Sequence, residues 1–489
     1  MKKHFLAFDL GASSGRGIIG TLENGRISLQ EIHRFENGIK NIDGSFFWDF
    51  TALTEEIKIG LCKAFQVTKD IAAIAIDTWG VDYVLFDKDT REVKTLPYHY
   101  RDERTAKYID EIWSKISKED IYKRTGIQFM PFNTLYQLYA HMKDKPQDLE
   151  NAVFLHIPDA LGYMIGGDFT TEYTDASTGN LLNPTTHEWD WELIDILGLP
   201  RDSFPEVVEP ATLGGTLSPE LQQKFGVGPI PIVKVGSHDT ASAVLAVPAA
   251  DGDDFAYISC GTWALLGAEI NAPSLDIKAQ TFTNEGGVGN TIRYLTNIMG
   301  CWLLQETRRD FIAKGRKISF GEMGELAQDA ELLKYLINPN DPFFSAPENM
   351  IARVKEFVSK HGQNGEAMTE GEVIRAILDS LGLCFRAKLE ELGKILGKEY
   401  KVLNIIGGGT KDKLLMQSAA DAGNLTVIAG PIEATAIGNI LAQAMALGDV
   451  ASISEARKIV RESFDVLKFT PNEKNRTAWD EAFEKFKKF

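Results

Sequence analysis

Apolar and polar positions along the chain follow two patterns. Short apolar stretches predict strands, and they lie at Phe5–Leu10, Ile71–Asp77, Tyr83–Phe86, Ile230–Val235 and Val402–Ile406. Segments in which apolar residues recur with helical spacing predict amphipathic helices, and they lie at Leu53–Phe65, Glu372–Leu396 and Lys413–Ala422. Because strands alternate with helices, the pattern predicts an α/β fold.

Two segments predict hairpins with a glycine in the turn. Phe5–Leu10 leads through Gly11–Gly15 into Arg16–Leu22, and Phe255–Ser259 leads through Cys260–Thr262 into Trp263–Gly267. About half of the chain separates the two hairpins. This separation favours an internal duplication, in which each half offers one glycine- and hydroxyl-bearing turn to a shared cleft.

The chain length predicts more than one domain, because 489 residues exceed what a single hydrophobic core usually organises. Residues 246–254 are rich in small, acidic, proline and glycine residues and interrupt two apolar stretches. Such composition is typical of a domain junction. We therefore expect two domains, residues 1–246 and 247–489.

Composition and charge narrow the class of protein. Hydrophobic residues make up 44% of the chain and charged residues 25%, as in ordinary globular proteins. A formal net charge of −17 repels phosphate backbones and anionic membranes, so we expect neither nucleic acid nor membrane as a partner. Cys62, Cys260, Cys301 and Cys384 are too widely spaced for a disulfide framework, and the N-terminal apolar stretch is too short for a signal peptide. These features predict a cytoplasmic protein.

The turn after the first strand carries groups that suit a phosphate. Its glycines let backbone N–H groups approach phosphate oxygens, Ser13 and Ser14 add hydroxyl donors, and Arg16 adds positive charge. Asp9, near the end of the strand, can hold hydrated Mg²⁺. The same residues also fit an ordinary hairpin turn. The segment is neither a P-loop nor a dinucleotide fingerprint, because it lacks the P-loop lysine and returns as a strand.

A second polar cluster follows the strand Ile230–Val235, where a helix is expected to begin. Asp239, close to a helix N-terminus, stays ionised and can accept a proton from a substrate hydroxyl, while His238 can hydrogen-bond a neighbouring oxygen. Ser237 or Asp239 can also cap the helix. The roles of cap and base are compatible.

A third cluster, Asp77–Tyr83, places an aromatic residue and a glycine between two acids. A sugar ring can stack on Trp79 while the backbone of Gly80 approaches its hydroxyls. The alternative is a turn with Trp79 packed in the core.

Two later segments offer polar or glycine-rich positions. Gly407–Gly409 ends a strand and permits close approach of a base or ribose, although a helix-capping turn is the alternative. Thr296–Gln305 is predicted to open a helix, on which Asn297 and Gln305 lie about two turns apart and can face one cleft. Both residues also fit a polar helix surface.

Taken together, these motifs resemble the FGGY family of carbohydrate kinases in order and spacing over essentially the whole chain. The shared motifs are Asp9–Gly11, Asp77–Asp82, Ser237–Ser242, Ser259–Trp263 and Gly407–Gly409. Five further segments resemble in particular the members that phosphorylate L-rhamnulose: Ala12–Arg16, Glu31–Phe35, Gly126–Phe129, Phe132–Gln137 and Asn297–Gly300. The resemblance implies a two-domain actin-like, ribonuclease H-like α/β ATPase fold with a central interdomain cleft.

The resemblance also implies an activity, namely transfer of the γ-phosphoryl group of ATP, with Mg²⁺, to O1 of L-rhamnulose. Asp239 matches the catalytic base and Asp9 the carboxylate on the metal side. The implied sugar-binding residues are Gly80, His238, Asn297, Trp79 and Asp82. The implied nucleotide-binding residues are Ala12, Ser13, Ser14, Gly15, Arg16, Thr262, Gln305 and Gly408. Cys260 departs from the family pattern, which more often has a small hydroxyl residue there.

Three other functions fit parts of the sequence. The nearest is an FGGY kinase for another ketose or polyol, such as L-fuculose, xylulose or glycerol. An actin-like or chaperone-like ATPase would use the same nucleotide site for a conformational cycle. A sugar-binding protein without catalysis is disfavoured by the presence of both Asp9 and Asp239.

Overall fold

The structure is a computed structural model that describes residues 2–250 and 252–489. Asp251, in the predicted domain junction, and Met1 lie outside the described residues. The strands are β1 Lys3–Leu10, β2 Ser14–Glu23, β3 Arg26–Glu36, β4 Ile39–Ile42, β5 Ser45–Trp48, β6 Ile71–Asp77, β7 Tyr83–Asp87, β8 Ala152–His156, β9 Thr171–Glu172, β10 Leu182–Asn183, β11 Glu188–Trp189, β12 Val207–Val208, β13 Thr212–Thr216, β14 Pro231–Lys234, β15 Ala256–Cys260, β16 Ala264–Ile270, β17 Thr283–Gly286, β18 Ile292–Ile298, β19 Val402–Ile406, β20 Thr426–Ala429 and β21 Leu467–Phe469.

The helices follow between them. They are α1 Phe50–Val67, α2 Ile109–Lys115, α3 Lys118–Thr125, α4 Thr134–Asp144, α5 Pro146–Leu149, α6 Ile157–Met164, α7 Tyr173–Ala176, α8 Trp191–Leu197, α9 Pro219–Phe225, α10 Asp239–Leu245, α11 Trp302–Ala313, α12 Phe320–Gln328, α13 Met350–Lys360, α14 Glu370–Leu396, α15 Lys413–Gly423, α16 Ala434–Ala446, α17 Ile453–Ser463 and α18 Arg476–Phe486. Within the described ranges, none of them is both long and apolar enough to cross a membrane.

The first large sheet has the strand order β13-β14-β6-β1-β2-β3. β1 and β2 form the first predicted hairpin, and β1 pairs with β6 in parallel, as β6 does with β14. Residues 5–8 of β1 have no exposed surface. Because both faces of β1 are buried, its residues are apolar at successive positions rather than at alternate ones. The parallel arrangement brings the carboxyl ends of β1, β6 and β14 to one edge of the sheet.

The second large sheet includes the strand order β18-β16-β15-β19-β20-β21. β15 and β16 form the second predicted hairpin, and β15 pairs with β19 in parallel, as β19 does with β20. Each sheet therefore joins a hairpin to a parallel strand on the hairpin's first member. This is the arrangement expected if the two hairpins arose by duplication.

The chain divides into two compact units. The first contains residues up to Ala246, Glu269–Tyr294 and Ala434–Ser463, and the second contains Val247–Ala268, Leu295–Glu433 and Phe464–Phe489. The domain limits 1–246 and 247–489 stay a prediction. Residues of α16 and α17 complete the first unit, where α16 contacts β1 and β6.

Candidate active site

The polar residues of the first unit collect where three parallel strands end. Asp9 on β1 and Asp77 on β6 are register partners. After β14, the backbone pairs with the end of β6, since Thr78 N donates to Ser237 O at 2.9 Å and Asp239 N donates to Thr78 O at 2.7 Å. Asp9 and Asp77, near the ends of β1 and β6, and Asp239, a few residues beyond the end of β14, thus lie at the same edge of the sheet.

Asp9 is buried and forms an ion pair with Arg16 on the opposite strand of its hairpin. Arg16, its register partner on β2, has Nη2 at 2.5 Å from Asp9 Oδ2. The turn between them is closed by a hydrogen bond from Gly11 N to Ser14 O at 2.9 Å. Gly15 is required for packing, because a Cβ there would lie 2.5 Å from Cε2 of the Phe35 ring. Ala12, Ser13 and Ser14 remain accessible between these fixed points, and their contact with phosphate stays a prediction.

Asp77 is fully buried, and the sequence interpretation assigned it no role. Asn439 Nδ2 on α16 donates to Asp77 Oδ2 at 2.6 Å, and Gln443 Nε2 fixes that amide by donating to Asn439 Oδ1 at 2.7 Å. The second oxygen, Asp77 Oδ1, is buried without a hydrogen-bond partner among the described residues. Burial, together with the charges of Asp9 and Asp239, raises the pKa of Asp77 well above its usual range.

The Asp9–Asp77 pair fits a magnesium ion. Mg²⁺ commonly takes one or two carboxylates and completes its shell with phosphate oxygens and water. The buried, unpartnered Oδ1 of Asp77 beside Asp9 meets that demand. No cluster of three or more His, Cys, Asp or Glu side chains in the described part of the chain is arranged as a metal site, so the protein by itself would supply only part of the shell.

Asp239 is the first residue of α10, and its side chain is 31% exposed. Glu172 and Thr174 hold the backbone just before Asp239. Glu172 Oε2 accepts a hydrogen bond from Ser237 N at 3.0 Å, and Thr174 Oγ1 accepts one from His238 N at 3.2 Å. The residue that caps α10 is His238, and it forms no side-chain capping bond. The alternative prediction that Ser237 or Asp239 is the N-cap of this helix is therefore wrong. The Asp239 carboxylate, at a helix N-terminus that favours its charge, is available to a ligand.

His238 is mostly buried between charged groups. Its Nε2 lies 3.5 Å from Asp239 Oδ1, and its Nδ1 lies 3.1 Å from Arg293 Nη2 and 3.2 Å from Glu285 Oε2. Burial acts to raise the pKa of Glu285, but the positive charge of Arg293 beside it holds that pKa below its ordinary value. Glu285 therefore remains an anion in a buried place.

Trp79 and Asp82 form a buried cluster below this edge. Trp79 is 7% exposed, and its ring packs on Trp48 with 3.9 Å between centroids. Both indoles donate to Asp82 Oδ2, at 2.6 Å from Trp48 Nε1 and 3.1 Å from Trp79 Nε1, while Gln137 Nε2 donates to Asp82 Oδ1 at 2.7 Å. Burial raises the pKa of Asp82 to about 6, against the effect of these donors. Direct sugar contacts of Trp79 and Asp82 stay a prediction.

The turn between these two residues is strained. Val81 has φ +68°, a conformation that β-branched residues rarely adopt. Thr178 holds the turn, because its Oγ1 accepts from Val81 N at 3.1 Å. A Cβ at Gly80 would lie 2.9 Å from the same Oγ1, so the glycine is needed for this close approach, whether or not a sugar also contacts it.

The second unit brings together two predicted nucleotide residues. Gln305 Nε2 on α11 donates to Thr262 Oγ1, in the turn of the second hairpin, at 3.2 Å. Gly408 follows β19, and a Cβ there would have no heavy atom within 4 Å. Cys260 is buried with its Sγ 3.8 Å from that of Cys301. These contacts fix the turn, whereas binding of a nucleotide stays a prediction.

The predicted helix at Thr296–Gln305 is wrong. Asn297 lies on strand β18, which ends at Ile298, and α11 begins only at Trp302. Asn297 and Gln305 therefore do not lie on one helix face. The physical reason is nonlocal: residues before Gly300 extend a sheet, and Gly300 fits against β16, where a Cβ would lie 2.7 Å from Ala264 N.

The sequence interpretation missed Asp77, Glu172, Glu285 and Arg293. One signal was available for Arg293, because a charged residue inside an apolar strand must find a partner when it is buried. Asp77 ends an apolar strand, which is also where ligands bind in such sheets. Glu172 and Glu285 lie in segments without a recognisable motif, so only the fold shows their proximity to residues 237–239.

Two family models match the chain in succession. They are the N-terminal domain of the FGGY family of carbohydrate kinases, over residues 4–246, and the C-terminal domain of that family, over residues 256–447. The chain belongs to the FGGY family of carbohydrate kinases. Kinases of the FGGY family use ATP as the phosphoryl donor and a sugar as the acceptor.

Relatives and solved structures agree with the FGGY assignment. The chain is 41% identical over 490 residues to a rhamnulokinase of Bacteroides thetaiotaomicron, covering 100% of this chain and 99% of that protein. It is 39% identical over 482 residues to a rhamnulokinase of Bacillus subtilis, covering 98% of each. The fold matches a xylulose kinase of Lactobacillus acidophilus with a TM-score of 0.82 at 16% identity, over 99% of this chain and 97% of that one. It also matches a glycerol kinase of Plasmodium falciparum with a TM-score of 0.79 at 18% identity, over 99% and 98%. The predicted actin-like α/β fold of an FGGY kinase is thereby confirmed.

Proposed function

We propose that the protein transfers the γ-phosphoryl group of ATP to O1 of L-rhamnulose and forms L-rhamnulose 1-phosphate in the cytoplasm. The observation that carries the choice of sugar is the identity of about 40% over the full length to proteins named rhamnulokinase. The chemistry is supported by Asp239, a partly exposed carboxylate at the start of α10.

In this proposal Asp239 accepts the proton of the O1 hydroxyl as O1 attacks the γ-phosphorus. The backbone links from Ser237 to Glu172 and from Asp239 to Thr78 hold the carboxylate in place, which matters because phosphoryl transfer depends mainly on positioning and charge. His238 Nε2, 3.5 Å from the base, donates to an oxygen of the same sugar. Gly80, Trp79, Asp82 and Asn297 complete the proposed sugar contacts.

The nucleotide contacts in this proposal come from the two glycine-containing turns. Residues 12–15 offer backbone and hydroxyl donors to phosphate oxygens, and Arg16 adds a positive charge. Thr262, Gln305 and Gly408 contact the remainder of ATP. Asp9 and Asp77 would hold Mg²⁺, which, when bound, neutralises charge on the phosphate oxygens.

A coupled assay of ADP release tests the proposal on a panel of L-rhamnulose, L-fuculose, xylulose and glycerol. We expect the highest kcat/KM with L-rhamnulose and a product phosphorylated at O1, identified by NMR. A higher kcat/KM for another acceptor would show that L-rhamnulose is not the preferred substrate, whereas membership of the FGGY family would be unaffected. ADP release at the full rate without any acceptor would favour an ATPase instead.

A further inference from the structure

A buried ion pair lies directly behind His238. Glu285 on β17 and Arg293 on β18 belong to the first unit, and Arg293 Nη1 lies 3.1 Å from Glu285 Oε2. Arg293 has no exposed surface and Glu285 is 7% exposed. A buried arginine and glutamate in these positions need a reason, because well-packed apolar residues often give equal stability.

The guanidinium of Arg293 is oriented by the backbone. Arg293 Nε donates a hydrogen bond to Gly286 O at 2.7 Å. Gly286 is held in turn by a hydrogen bond from its N–H to Ser177 Oγ at 2.8 Å. The fork of the guanidinium is planar and rigid. With Nε fixed, Nη2 is therefore directed at His238 Nδ1, 3.1 Å away.

Two groups compete for His238 Nδ1. Arg293 carries only donors, so its hydrogen bond requires an unprotonated Nδ1, whereas Glu285 would require a protonated one. The two distances are similar, 3.1 Å to Arg293 Nη2 and 3.2 Å to Glu285 Oε2. Arg293 Nη2 meets hydrogen-bond geometry at Nδ1, whereas Glu285 Oε2 has no hydrogen-bond partner among the described residues. The geometry therefore favours a bare Nδ1, and in the neutral ring the proton then resides on Nε2.

We propose that Arg293, neutralised by Glu285, is a positioning residue that holds His238 in the tautomer protonated at Nε2. His238 is then a hydrogen-bond donor on the side that faces Asp239 and cannot act as a second proton acceptor there. The charged groups around the ring are Asp239 on one side and Glu285 and Arg293 on the other. The consequence for catalysis rests on the proposed function: the hydroxyl proton goes to Asp239, while Nε2–H binds a neighbouring sugar oxygen.

The test begins with the free enzyme, so that its result does not depend on the identity of the sugar. The chain contains 8 histidines, and ¹⁵N-histidine NMR with a His238→Gln sample identifies the signals of His238. We expect the chemical shift of an unprotonated nitrogen at Nδ1 and of a protonated one at Nε2. The reverse assignment in the wild-type protein would overturn the proposal, even if L-rhamnulose is confirmed as substrate.

The principal variant replaces both charges together, as Glu285→Gln/Arg293→Met, because removal of one partner would leave the other charge buried and unpaired. We expect a mixture of tautomers at His238. Loss of one well-placed hydrogen bond corresponds to a fall in kcat/KM for the sugar of about 10- to 100-fold, with the KM for ATP unchanged. A folded double variant with the wild-type tautomer and wild-type kcat/KM would refute the positioning role.

Two further variants separate positioning from stability. Arg293→Lys keeps the charge but loses the rigid fork, so we expect a tautomer mixture and partial activity; an unchanged tautomer would count against the proposal. Arg293→Lys also tests the proposal if the double variant fails to fold. Arg124→Met is the matched control, since Arg124 pairs with the buried Asp190 at 3.2 Å and also with Glu192, both far along the chain from residues 237–239. Its His238 signals should stay unchanged, and an equal tautomer shift in this control would indicate a general effect of losing an arginine.

Discussion

Helices α10 and α16 pack closely at Gly438, which contacts Ser242, three residues after the proposed base on α10. A Cβ on Gly438 would lie 2.5 Å from the carbonyl carbon of Ser242 and 3.1 Å from its Cα, and it would overlap the Ser242 carbonyl oxygen. Ordinary contacts begin at 3.4 Å. Because the obstacle is backbone, Gly438→Ala must move α10 by about 1 Å. Asp239 is the first residue of α10 and moves with it.

The expected effects follow from that displacement. Overpacking of this kind costs about 1–3 kcal/mol of the free energy of unfolding, which thermal and urea unfolding would measure. A displacement of about 1 Å in a catalytic group lowers the rate by about 100-fold, so kcat should fall much more than the stability loss alone explains.

The control is Gly324→Ala on α12, where an added Cβ meets no heavy atom within 4 Å. This variant should keep wild-type kcat and gain slightly in stability, because alanine favours helix over glycine. A folded Gly438→Ala enzyme with wild-type kcat would show that the position of α10 does not control the activity of Asp239.

Two other predictions concern the pH dependence of stability and the nucleotide. Because burial raises the pKa of Asp82 to about 6 from an ordinary 3.8, its contribution to folding is present below about pH 4 and is lost as the pH rises to about 6. Asp82→Asn removes this titration, so its free energy of unfolding relative to wild type should rise by about 3 kcal/mol between pH 4 and pH 7; a pH-independent difference would contradict the pKa shift. Gly408→Ala adds a methyl group to open space, so we expect unchanged stability with a KM for ATP raised about 10-fold by contact with the nucleotide. An unchanged KM would remove Gly408 from the nucleotide site.

Local chemistry explains which elements could be predicted from sequence. The strands Ile71–Asp77 and Val402–Ile406 agree with β6 and β19 residue for residue, because central parallel strands are apolar throughout. Helix α1 begins three residues earlier than predicted, at Phe50, where Asp49 caps it by accepting from Ala52 N. Asp49 is a typical N-cap residue and could have indicated this start, but it precedes the segment Leu53–Phe65 in which apolar residues recur with helical spacing.

Nonlocal packing explains what the sequence did not reveal. The residues around Asn297 are compatible with a helix and predict one, but pairing within the sheet makes Asn297 part of β18. Arg293 and Glu285 reach His238 only through the fold, as their separation in sequence carries no pattern. Asp77 is correctly predicted as the end of a strand, but its buried hydrogen bond to Asn439 depends on α16, which is more than 300 residues away in the sequence.

The role of Asp239 as the base is tested most sharply by the turnover of Asp239→Asn. The amide keeps the size of the side chain but cannot accept the hydroxyl proton. Loss of general-base catalysis should lower kcat for L-rhamnulose by about 10²- to 10⁴-fold, while calorimetry shows ATP binding with wild-type affinity. A variant that phosphorylates L-rhamnulose at nearly the wild-type rate would exclude Asp239 as the base, because the hydroxyl proton would then leave by another route.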